Sequence, residues 1–126
     1  MRILVLASTL LIGLTAPLAA AAPAKPVAAP TGSPIGKDVQ CFILFASAVG
    51  NAKDEATSKS ATVGLAYFLG KITRGAPGLN LVDAVKQESK ALQGSDPQAI
   101  GKACEQEFTN RMGDVDALGK ALSSGK

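Results

Sequence analysis

The 126-residue sequence contains no histidine and no tryptophan, one tyrosine and two cysteines. Without histidine the commonest general base and the commonest metal ligand are both missing. That excludes Ser-His-Asp and Cys-His nucleophilic arrangements. Two cysteines 63 positions apart fall short of the four thiolates of an all-cysteine zinc site. Glu105, Glu107, Asp114 and Asp116 lie close in sequence but lack the spacing and terminal glutamate of a calcium loop, so they read as a solvated acidic face. No glycine-rich phosphate loop or dinucleotide fingerprint is present. A glycosidase-like pair of carboxylates needs only two acids, yet every acid here sits in a helix-surface or capping context, and a carboxylate enzyme is the least favoured reading. No catalytic, cofactor-binding or metal-ligating residue is assigned, and the expectation is a protein that is not an enzyme.

The chain also lacks a basic run. Its lysines and arginines fall singly between Lys37 and Lys126, and Tyr67 alone could stack a base, so nucleic acid is not expected as a partner. The long apolar run is Ile3 to Leu14, well short of the roughly 20 residues that span a bilayer. Arg2 precedes it, and small residues at Ala19 and Ala21 follow. This is the pattern of a cleavable signal peptide over residues 1–21. It predicts export to the periplasm or the medium and no stable membrane insertion after cleavage. The nearest cysteine to that cleavage site is Cys41, which disfavours a lipid anchor. Cleavage removes Arg2, so the 13 basic residues become 12 against 10 acids and the net charge falls from +3 to +2.

Residues 22–36 are rich in alanine and proline, with prolines at 23, 26, 30 and 34 that oppose helix and sheet ladders, and they read as a linker. The folded domain is expected over 37–126, marginal for a self-sufficient core. In an oxidising compartment a bridge between Cys41 and Cys104 is the default. The alternatives are two buried free thiols or an intermolecular bridge.

Four helices are predicted. Asp38 caps a nearly all-apolar helix through Ala46, with Gly50-Asn51 as its stop; its aromatic and β-branched residues also permit a strand, but Ala46, Ala48 and the capping residues favour a helix, central to the core or covered on more than one side. A second begins between Asp54 and Ser58 and ends before Gly75, with Ala61, Leu65, Phe68, Leu69 and Ile72 as its core stripe. Gly64 and Gly70 within it suggest close approach by another helix, in preference to a dimer interface. Asn80 caps a third helix with apolar positions Leu81, Val82, Val85 and Leu92, ended by Gly94. Ser95-Asp96-Pro97 opens the last, in which Ile100, Ala103, Cys104, Phe108, Met112, Val115, Leu118 and Leu122 keep one face. Gly113 leaves open one long helix or two with a kink. No segment alternates as a half-buried strand does. The fold class is all-α, a small bundle of about four helices.

The stretch Ile100-Gly101-Lys102-Ala103-Cys104-Glu105-Gln106, together with Asp38-Val39-Gln40-Cys41 and a middle helix carrying Val63-Gly64 and Leu69, resembles the small periplasmic acid-stress chaperones of the HdeA type. The resemblance implies a disulfide-bonded helical protein, with Cys41 and Cys104 as the structural pair. It further implies dimerisation near neutral pH and binding of unfolded polypeptides in acid. With no histidine, any acid response must use carboxylates, whose ordinary pKa values lie near 4. Protonating all ten would carry the mature charge from +2 towards +12, and repulsion would loosen the compact state. Phe42, Ile43 and Phe45 are then the apolar partner-binding surface released. The alternative is a constitutive interaction or structural module of the cell envelope.

Overall fold

The structure, a computed structural model, describes residues 31–125; the signal peptide expected at 1–21 and the expected linker up to residue 30 lie outside the described residues. The chain forms four helices: α1 (Pro34–Asn51), α2 (Glu55–Gly75), α3 (Leu81–Gln93) and α4 (Pro97–Ser124). Among the described residues there is no β-strand.

Helix α1 starts earlier than the sequence suggests. Ser33 is its N-cap, accepting a hydrogen bond from the Gly36 amide at 3.0 Å, and Pro34 occupies the first turn. Proline is tolerated there because the amide it lacks has no partner inside the helix, and its fixed φ already suits a helix. The helix therefore takes in residues 34–36, expected in the linker. Asp38 is freed from capping, and it lies buried in the second turn. The other starts follow their capping residues. Asp54, Asn80 and Asp96 accept from the amides of Thr57, Asp83 and Gln98/Ala99 respectively. Helix α4 runs unbroken through Gly113.

Helix α1 is the central element, packing against each of the other three, as its nearly uniform apolar surface predicts. On one side Cys41, Phe68, Cys104 and Phe108 form a buried cluster. On another, Val39 packs with Ile72 of α2 and Ala84 of α3. Phe42 touches both clusters. The Cys41–Cys104 disulfide, with a Cα–Cα distance of 5.5 Å, joins α1 to α4 across 63 positions and excludes the free-thiol and intermolecular alternatives. In the chain-entropy picture, closing a loop of that length stabilises the fold by roughly 4 kcal/mol.

Several helix faces differ from their predicted stripes. On α2 the buried line is Ala61, Gly64, Phe68 and Ile72, while Leu65 is half-buried and Leu69 is 39% exposed because α1 covers a narrower arc than the apolar pattern spans. On α3 the buried positions are Ala84, Glu88 and Leu92, while Val82 faces solvent. Ala103 is likewise exposed on α4. Beyond Met112, α4 has outrun the shorter helices beside it, so Val115, Leu118 and Leu122 are 58%, 60% and 71% exposed.

Candidate apolar groove between three helices

A concavity lies where α1, α2 and α4 meet. Its position follows from one glycine. Gly64 presents no side chain to α1, and the ring of Phe45 occupies the space that a Cβ would take. Phe45 thus lies across α2, with ring centroids 5.5 Å from Phe68 and 5.4 Å from Phe108, the latter edge-on. The open side of this aromatic cluster is a groove of about 470 Å³. Leu44, Phe45, Ala61, Gly101, Cys104 and Phe108 supply its apolar surface, and Ala48, Thr57, Ser60, Glu105 and Thr109 its more exposed rim. A volume of this size lies within the usual range for binding pockets. Its polar lining consists of the Thr57, Ser60 and Thr109 hydroxyls and the Glu105 carboxylate.

A polar cluster lies next to the aromatic one. Lys71 of α2 reaches Asp38 of α1 at 2.6 Å and Glu107 of α4 at 2.5 Å. The Tyr67 hydroxyl donates to Glu107 at 3.0 Å. The ammonium also lies 5.4 Å and 5.8 Å from the ring centres of Phe68 and Tyr67, within cation–π range. Partial burial works against the charge on Lys71. The two carboxylates more than offset it, and its pKa is raised. Burial likewise opposes the Glu107 charge, but hydrogen bonds from Lys71 and Tyr67 outweigh it and hold that carboxyl below its ordinary value. One lysine therefore clasps three helices through two carboxylates.

A second buried acid sits on the far side of α1. Glu88 of α3 is wholly buried and accepts from the Gln40 amide at 2.7 Å, while its other oxygen has no partner. A buried polar atom left unpaired costs about 1–3 kcal/mol, so this pair fixes how α3 meets α1 at some expense in stability.

The three residues predicted as a partner surface are not equivalent. Phe42 packs into both buried clusters and Ile43 against the Val39 cluster, whereas Phe45 lines the groove. All three are half-buried. The other apolar members of the groove, Leu44, Ala61 and Phe108, read in the sequence as ordinary core. The Lys71 clasp was missed; its signal is a lone cation one helical turn after Tyr67 and beside buried Ile72. No group of three potential metal ligands occurs among the described residues. Of the acids that lie close in sequence, Glu107 is engaged by Lys71 and Asp114 by Arg111. No helix among the described residues is long and apolar enough to cross a membrane.

Fold and groove together define a disulfide-pinned, all-α four-helix domain with an open apolar site. No family model, curated protein or solved structure matches the chain.

Proposed function

We propose that this domain is a non-catalytic binder of apolar polypeptide segments, exported through its N-terminal leader and acting on unfolded proteins in acid. The observation that carries the reading is the groove at the α1–α2–α4 junction, apolar and open to solvent, with half-buried Phe45 on its surface and the largely buried Phe108 at its floor. Aromatic residues at the centre of a pocket are the usual anchors of such contacts.

The acid dependence draws on the Lys71 clasp. The connection from α2 to α4 runs through the Glu107 carboxylate, and protonating it removes a charge that Lys71 pairs with. Helix α4 would then be held by the disulfide and the apolar contacts of Ile100, Phe108 and Met112 alone, and the groove would widen. The test is aggregation of a denatured client at pH 2–3 and pH 7, with and without the oxidised protein. Suppression in acid is the expected outcome; equal aggregation with and without the protein overturns the reading.

A second reading, a constitutive envelope interaction module, draws on the exposed row of Val115, Leu118 and Leu122. Crosslinking in the native compartment at both pH values separates the two. Diverse unfolded proteins captured only in acid support the first, and one partner captured at neutral pH supports the second.

A further inference from the structure

The groove has a charge bias as well as an apolar surface. Glu105 is its only charged lining residue. Among the described residues it forms no ion pair, whereas Glu55 pairs with Lys59, Glu107 with Lys71 and Asp114 with Arg111. The hydroxyls of Ser60 and Thr109, also on the rim, are engaged in no side-chain hydrogen bond among the described residues, while that of Thr57 is taken by Asp54. The helix ends reinforce the bias. Ala48 belongs to the last turn of α1, which carries no basic residue, so the partial negative charge of that end is met by neutral donors alone, the Asn51 side-chain amide on the Ser47 carbonyl and the Ala52 amide on that of Val49. The opposing positive end of α2 is already answered, since the Asp54 carboxylate receives the Thr57 amide and is held below its usual pKa chiefly by that bond.

We infer that the groove selects segments in which an apolar side chain lies next to a lysine or arginine, the apolar group against Phe45 and Phe108 and the cation on Glu105. The inference rests on the polypeptide-binding reading above and adds the chemistry of the segment that the groove takes at neutral pH. An acidic segment would meet Glu105 and the α1 carbonyls with like charge and be disfavoured. The rim hydroxyls offer hydrogen bonds to the backbone of the segment.

The test uses two dye-labelled peptides with one leucine-rich centre, one flanked by lysines and the other by glutamates. Their binding to the oxidised protein is followed by fluorescence anisotropy at neutral pH and low salt. The lysine peptide is expected to bind about three- to tenfold tighter, the scale of an exposed ion pair against an exposed repulsion, and the ratio should shrink as salt is added. Glu105→Gln, a change at an exposed position, should bring the two affinities together. Ala48→Trp, which fills the groove from its rim, should weaken both. Equal binding of the two peptides, unaltered by Glu105→Gln, overturns the charge selection and leaves the groove as a polypeptide site. Failure of both peptides to bind at neutral pH overturns the selection, while the acid-dependent reading stands or falls separately on the client assay in acid.

Discussion

Gly64 and Gly70 lie six residues apart on α2 and meet opposite surroundings. A Cβ at Gly64 would fall within the ring of Phe45, while one at Gly70 would meet nothing within 4 Å. In an exposed helix interior, alanine is favoured over glycine by about 1 kcal/mol. In a packed contact, the added methyl displaces a neighbour at a cost of about 1–3 kcal/mol. Gly64→Ala is therefore expected to lower the thermal midpoint and to move Phe45 out of the groove, whereas Gly70→Ala should raise the midpoint slightly. Calorimetry of the two variants checks this, and equal shifts would mean that Phe45 is not held as described. The sequence shows both glycines as helix-interior breaks and suggests close approach for each. Only the path of α1 over α2 separates the one that is needed from the one that is not.

At the scale of the element, α4 is two helices in one. From Ile100 to Met112 it contributes Cys104 and Phe108 to the core, and beyond that point its apolar row continues into solvent. The periodicity does not change at Met112, so nothing in the pattern marks where packing stops. The lengths of the other helices set that limit. Replacing Val115, Leu118 and Leu122 together by alanine should leave the midpoint almost unchanged, since exposed substitutions each alter stability by about 0.5 kcal/mol or less. Phe108→Ala should cost about 3–5 kcal/mol. Urea unfolding of the two variants measures the contrast. A large loss in the triple variant would show that the row is covered in solution, for example by a second copy of the chain.

The molecule as a whole is tied across its helices by one disulfide and one lysine clasp, and these respond to pH differently. The disulfide does not titrate in this sense. In the clasp, Glu107 has a folded pKa below its ordinary value of 4.5, so its contribution is present above that value and is lost as pH falls through the folded pKa. Lys71 has a folded pKa above 10.5, so its contribution is present below that value and is lost as pH rises through the folded pKa. The clasp is accordingly at full strength between about pH 5 and pH 10. Urea midpoints recorded from pH 7 to pH 2 should fall more steeply for the wild-type protein than for Glu107→Gln, which has no charge at that position to lose. Parallel curves would show that acid acts elsewhere. Reduction of the disulfide should lower both curves together.

Much of this architecture is local and is therefore legible along the chain. Asp54, Asn80 and Asp96 fix three helix starts because a capping side chain acts on amides two or three residues away, and Gly94 ends α3 for similarly local reasons. The spacing of apolar residues makes the protein all-α, and the absence of histidine removes whole classes of chemistry before any fold is considered. Ser33 and Pro34 show the limit of this reading, since a linker-like composition can still open a helix when proline falls in its first turn. The groove, the clasp and the buried Gln40–Glu88 pair belong to the tertiary structure. Phe45 meets Gly64, Phe68 and Phe108, Lys71 meets Asp38 and Glu107, and Gln40 meets Glu88, all across separations of 19 to 63 positions that no periodicity encodes. Sequence alone determined the all-α class, three of the four helix starts and which residue types were absent. Only the packing of α1 against its three neighbours decided which side chains share a surface, because that depends on where helices cross and how far each extends.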